Sequence, residues 1–327
     1  MAHEVLPLPF KPHRLDGLSD RLLVSHYENN YGGAVRRLNA IEGRLAGLDW
    51  AAAPVFDLNG LGRERLIAAN SMILHEAYFD ALGGSGEPGG GLARALERDF
   101  GSVDRWRAEF TAMGKALAGG SGWVLLTWSE RLGRLTNQWA ADHCHTLADG
   151  AVVLALDMYE HAYALDFGAK AGAYVDAFMR NIHWERIEAR HGRALDPTAP
   201  RPPWPNADVP RVTAAELRTM LDGGEGVTLV DVCLAESLPR RTDMLPGARF
   251  LAPEAIADWA DDLPRDRPVI AYCEYGFQVS GEATAELRRR GLDASALAGG
   301  IAAWHAMGGP TVPLPPEKIP PRKRGEV

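Results

Sequence analysis

Residues 152–163 read Val152-Val-Leu-Ala-Leu-Asp157-Met-Tyr-Glu160-His161-Ala-Tyr163. The unbroken apolar run Val152–Leu156 fits a strand covered on both faces. It ends directly on an aspartate, with a histidine four residues later. A carboxylate at the end of a buried strand is costly unless it is paired or bound to a cation. Two readings are open. Asp157 caps the next turn with His161 as its partner, or the two residues contribute to a metal site.

Working back from this segment, Trp123–Trp128 is bulky and apolar, Ser129-Glu-Arg-Leu-Gly133 has turn chemistry, and Arg134–Trp139 alternates. Three short strands after a run of helices indicate an α+β domain with an antiparallel sheet. The helices come first. Leu22, Leu23, His26, Tyr27, Asn30, Tyr31, Ala34, Val35, Leu38 and Ile41 recur at three- and four-residue spacing, with Ser19 as a candidate N-cap. Leu66, Ile67, Asn70, Ser71, Leu74, His75, Tyr78, Phe79 and Leu82 repeat the pattern, and Gly83–Gly91 ends it. Two further helices are expected at Leu92–Asp99 and Val103–Ala116. His26 and His75 both fall on apolar faces. Either one alone is ordinarily a satisfied core histidine. Combined with Asp157 and His161 they make three imidazoles and one carboxylate, a donor set suited to iron or manganese.

The composition narrows the remaining classes. The chain has 327 residues, 46% hydrophobic and 24% charged, with a formal net charge of −8. That length accommodates two domains. An acidic balance argues against nucleic acid as a partner. The three cysteines, Cys144, Cys233 and Cys273, are odd in number and lack CxxC spacing, so no disulfide framework or thiolate zinc site is expected. No secretory leader or bilayer-length apolar run is visible, so a cytoplasmic protein without membrane contact is expected.

Proline divides the chain. Asp196–Pro210 reads DPTAPRPPWPNADVP, which excludes helix and central strand. The expected organisation is a first domain at 1–195, a linker at 196–208, a second domain at 209–312 and a Pro-rich, basic tail at 313–327. In the second domain, strands at Val227–Val232 and Pro268–Cys273 alternate with helices at Ser280–Arg290 and Ile301–Ala306, the rhythm of an α/β parallel sheet.

Over residues 4–190 the chain resembles the iron/manganese superoxide dismutase family. The ordered motifs are Leu6-Pro-Leu-Pro9, His26-Tyr27, His75-Glu-Ala-Tyr-Phe79, Gly86-Glu-Pro88, Phe100-Gly-Ser102, Gly120-Ser-Gly-Trp123, Asp157-Met-Tyr-Glu-His-Ala-Tyr163 and His183-Trp184-Glu185. The Asp157 motif is similar to the family's D-x-W-E-H-A-Y. The resemblance implies a helical hairpin followed by an α+β half, with one iron or manganese ion held by His26, His75, Asp157 and His161. It implies superoxide as substrate, with dioxygen and hydrogen peroxide as products. It also implies a homodimer in which Glu160 bonds to the other subunit's His161 and Tyr163 lies nearby.

The surrounding shell departs from the family pattern. Asn30 and Ala34 stand where the family carries histidine and tyrosine, one and two turns after the first ligand. His143 falls where manganese-type members have glutamine, and Ser71 where iron-type members carry theirs. His143, beside Trp123, is the candidate for the hydrogen bond to solvent at the metal. The alternative is that Asp142-His-Cys-His145 is only a polar loop. Iron against manganese stays open, with a lean to iron.

Residues 209–312 resemble the rhodanese family through Leu229-Val-Asp231, Leu245-Pro-Gly-Ala248, Val269-Ile-Ala-Tyr-Cys273 with its adjoining loop, and Gly299-Gly-Ile-Ala-Ala-Trp304. This implies a Cys273 persulfide exchanging sulfur with a donor and an acceptor. Gln278 and Val279 stand where active members commonly carry arginine and serine, Cys233 stands where arginine is usual, and Glu274 opposes a thiolate at Cys273. A non-catalytic redox-sensing or binding module is the other reading. For the whole chain the alternative to dismutation is a sulfurtransferase with the first domain as a metal-binding dimerisation scaffold.

Overall fold

A computed structural model describes residues 2–199, 208–224 and 226–315. By internal contacts the chain divides into two units, Met1–His3 with Leu8–Pro202 and Glu4–Pro7 with Pro203–Val327. The linker expected at 196–208 falls largely at 200–207, outside the described residues, as does most of the expected tail.

The first unit begins with helices. Ser19 caps α1 (Asp20–Ser25) by accepting from the Leu22 N–H at 3.1 Å. A π turn, His26–Tyr31, continues α1 without a break and runs into α2 (Gly32–Ala46). The return helix α3 spans Val55–Ala81, longer than the apolar pattern from Leu66 suggested, because Pro54 starts it well before the buried face begins. α4 (Gly90–Phe100) and α5 (Val103–Ala116) match expectation, with Gly101 left-handed between them and Ser102 capping α5.

Among the described residues the first unit's sheet has the order β2-β1-β3, all antiparallel: β1 Trp123–Ser129, β2 Arg134–Ala140, β3 Gly150–Asp157. The central strand buries every residue but Trp128, which explains its bulk. Register decides which strand ends meet. Trp123 lies opposite Asp157 on one side and Ala140 on the other. The end of β3, the start of β1 and the exit of β2 therefore share one edge. Gly122 makes this possible. Its φ is +138°, and a Cβ there would stand 2.1 Å from the Ala140 carbonyl oxygen. Short helices α6 (Ala164–Phe167), α7 (Ala171–Arg180) and α8 (Trp184–Leu195) complete this unit.

In the second unit a parallel sheet has the order β4-β9-β8-β5-β7, from Arg211–Val212, Ala294–Leu297, Val269–Tyr272, Thr228–Asp231 and Arg249–Phe250. The helices α9 (Ala214–Asp222), α10 (Ile256–Trp259), α11 (Gln278–Arg289) and α12 (Gly300–Ala306) connect the strands. Side chains on one sheet face, including Val230, Ala271 and Cys273, pack in one cluster. Those on the other face, including Leu229, Ile270 and Tyr272, pack in a second. β10 (Val312–Pro313) pairs with β6 (Asp243–Met244), and Leu314 behind it is buried. Ordered pairing thus runs one step past residue 312. No helix among the described residues is long and apolar enough to cross a membrane.

Candidate metal centre

His26 opens the π turn, His75 lies on the buried face of α3, Asp157 ends β3, and His161 sits in the turn after it. One potential ligand atom from each lies within 4.8 Å of all the others. The three Nε2 atoms converge on a single oxygen, Asp157 Oδ2, at 3.1 Å for His26, 3.2 Å for His161 and 3.5 Å for His75. Asp157 Oδ1 is taken by the Tyr159 N–H at 2.8 Å, which fixes the carboxylate plane.

The protonation states suit a cation. Burial comes first for His26 and lowers its pKa, the neighbouring Asp157 only partly offsetting this. Burial, with the neighbouring His26, pulls His75 down to about 3. The His75 Nδ1–H donates to the Ser71 carbonyl at 2.7 Å, so its Nε2 presents a bare lone pair. Burial would push the Asp157 carboxyl up, but His161 and His26 outweigh it and hold the carboxyl well below the usual range. His75 Nε2 is buried with no hydrogen-bond donor among the described residues, facing a carboxylate oxygen 3.5 Å away. Two acceptors so placed repel unless something positive lies between them. Three imidazole nitrogens and one carboxylate therefore fit an iron or manganese ion. His26, His75 and Asp157 are closed off, while the His161 side chain is 27% exposed, so the site opens on that side.

The model of iron/manganese superoxide dismutases, C-terminal domain, matches residues 88–190. A protein of Cupriavidus metallidurans named superoxide dismutase [Fe] is 68% identical over 195 residues, covering 60% of this chain and 99% of that protein. The chain belongs to the iron/manganese superoxide dismutase family. Superoxide dismutase [Fe] of Aquifex aeolicus is 32% identical over 203 residues, covering 59% of this chain and 94% of that protein. Superoxide dismutase [Mn] 2 of Haloferax volcanii is 32% identical over 202 residues, covering 60% and 98%. The model of the rhodanese-like domain matches residues 213–307.

Around this dismutase-type centre, Trp123 and His143 do meet. The indole Nε1–H of Trp123 donates to His143 Nδ1 at 3.0 Å. An indole can only donate, so neutral His143 carries its proton on Nε2. Burial lowers the His143 pKa, which favours that neutral form. The Asn70 amide donates to the His143 carbonyl at 2.6 Å and holds the loop. Asn30 is half-buried and Ala34 is buried without a polar group. Tyr163 is buried, whereas Glu160 is exposed.

The sequence patterns assigned no role at either site to Tyr31, Arg211 or Arg241. The π turn widens the helix by one residue, so Tyr31, five after His26, turns inward. Its ring stacks on His75 at 6.2 Å and its hydroxyl donates to Glu76 Oε1 at 3.1 Å. Tyr31 thus packs its ring against the ligand His75 and commits its hydroxyl to Glu76. In the second unit Arg211 of β4 donates to the Gly276 carbonyl at 2.7 Å, placing a cation on the loop after Cys273. Cys273 is 7% exposed at the end of β8, its Sγ 3.3 Å from Ser280 Oγ. Gln278 instead bonds to Glu282 at 2.7 Å. At Cys233, Arg241 supplies the missing guanidinium from eight residues on, donating to Asp231 Oδ2 and to Cys233 Sγ, both at 2.8 Å.

Proposed function

We propose that the first unit, residues 1–195, dismutes superoxide with a single iron or manganese ion held by His26, His75, Asp157 and His161. The observation that carries this is the buried, donor-less Nε2 of His75 beside an anionic Asp157, within a group whose ligand atoms all lie within 4.8 Å of one another. When bound, the ion supplies the two oxidation states that take an electron from one superoxide and return it to another. The net change is two superoxides and two protons to dioxygen and hydrogen peroxide.

The chain's own residues do the rest. Asp157 contributes the one negative charge of the ligand set and, itself fully buried, offsets part of the ion's charge. The neutral imidazoles bind without adding charge. His143, with Nδ1 engaged by Trp123, keeps an Nε2–H with which to donate toward the centre. The partly exposed edge of His161 leaves a path for a small anion. Iron is the ion we favour, since the relative at 68% identity is named for iron.

The test is the superoxide decay rate of full-length protein loaded with iron, loaded with manganese, or stripped of metal. Loss of superoxide must follow metal content. A loaded protein no faster than the stripped one would end this reading.

The same preparations test two further readings. We infer a cytoplasmic homodimer with Glu160 reaching toward a second copy's His161, in keeping with the exposed Glu160 and the three free cysteines. A monomer mass by light scattering would contradict the dimer. For the rhodanese-like unit, Arg211 beside the Cys273 loop favours sulfur exchange at Cys273 with a small sulfur donor and acceptor. Thiosulfate–cyanide turnover that disappears in Cys273→Ser is expected, and an inactive parent protein would leave this unit a binding module.

A further inference from the structure

We propose that Tyr159 is a positioning residue that sets the orientation of His143 relative to the candidate metal ligands. This rests on the dismutase reading for its purpose but not for its test.

Tyr159 touches three parts of the centre at once. Its backbone N–H donates to Asp157 Oδ1 at 2.8 Å, so its backbone is pinned to the carboxylate. Its ring is nearly parallel to His161, with centroids 5.4 Å apart and an interplanar angle of 13°. It is equally parallel to His143, at 4.9 Å and 13°. One ring therefore stacks on both His143 and His161, while the backbone of the same residue holds the Asp157 carboxylate.

His143 has few other restraints. It sits in a loop, not on a strand or helix, and its ring is held otherwise by the Trp123 indole at 3.0 Å. A single hydrogen bond fixes a point but leaves the ring free to swing about it. A parallel neighbour removes that freedom. Where the family motif D-x-W-E-H-A-Y has tryptophan, this chain has a residue that both stacks and carries a hydroxyl.

The experiment uses iron-loaded full-length chain and azide, a small anion that binds ferric iron and changes its visible absorption. The variants are Tyr159→Phe, Tyr159→Leu, His143→Ala and the double variant Tyr159→Leu/His143→Ala, each normalised to iron content. Tyr159→Leu is expected to shift the azide dissociation constant about tenfold, in the same direction as His143→Ala. Tyr159→Phe, which keeps the stack, should bind azide as the parent does. In the His143→Ala background the Tyr159→Leu change should have no further effect, because the residue acts through His143.

An undiminished effect of Tyr159→Leu in that background, or parental azide binding in the Tyr159→Leu single variant, would overturn the proposal. If the leucine variant does not fold, Tyr159→Val in both backgrounds decides by the same rule. Azide binding needs no turnover. A protein that shows this coupling yet leaves superoxide untouched would sink the dismutase reading and leave the positioning role standing.

Discussion

Replacing Asp157 by alanine is expected to empty the centre. Metal should fall from one ion per chain to below about a tenth. Dismutation should fall by more than the roughly 10–100-fold typical of losing an outer partner of a ligand. Asp157 Oδ2 is the atom on which the Nε2 atoms of His26, His161 and His75 converge, at 3.1, 3.2 and 3.5 Å. It is also wholly buried, so no water can take its place cheaply. Without it a multiply charged ion would sit among neutral rings inside the protein, and such uncompensated burial costs several kcal/mol. The competing view makes Asp157 only the cap of the turn that carries Tyr159. Loss of a cap costs about 0.5–2 kcal/mol and would leave metal content untouched. Metal analysis of the purified variant beside its melting temperature separates the two. Full metal occupancy with a slightly lowered melting temperature would show Asp157 to be structural.

His143→Ala should behave differently: metal retained, turnover reduced roughly 10–100-fold. The side chain does not belong to the four-residue ligand group. Its removal should leave the ion in place while taking away the Nε2–H donor that the Trp123 bond secures. The Trp123 indole would also lose its acceptor at an unexposed position, a further cost of about 1–3 kcal/mol in stability. His143→Gln should recover part of the rate, because an amide can accept from Trp123 through oxygen and still donate through nitrogen. A polar loop without function would give rates within about twofold for both variants. Metal-normalised superoxide decay measured on the three proteins decides.

The parts of the centre carried by periodic elements were legible in the chain. His26 and His75 stand on helix faces whose apolar spacing is regular, and Asp157 ends a strand with no polar interruption. Bringing the four together was beyond spacing alone, since 131 residues separate His26 from Asp157. The ordered family motifs supplied that step. The three strands and α5 also keep to their patterns closely, because each has one buried face or two and clear turn residues at its ends.

What could not be read has physical causes. Tyr31 was legible as part of the apolar stripe, but its stacking against His75 was not, because the π turn sets it. A Gly32-Gly33 pair immediately after it was the available hint of an irregular backbone. Arg211 reaches the Cys273 loop at Gly276 from a strand 65 residues earlier, a parallel-sheet neighbourhood that sequence order hides. Arg241 meets Asp231 in the place that Cys233 leaves without a cation, a repair across a loop that no local motif signals. The early start of α3 at Val55 is similar in kind. Its first turns, with Val55 and Phe56 exposed, carry no amphipathic stripe to betray them.

The central claim is that the four clustered side chains hold a redox ion that removes superoxide. The most direct measurement is the superoxide decay rate of full-length protein across samples reconstituted to graded metal content. The account predicts a rate above the spontaneous background that is proportional to bound iron or manganese and falls to that background in stripped protein. A fully loaded protein that clears superoxide no faster than the stripped one would contradict it.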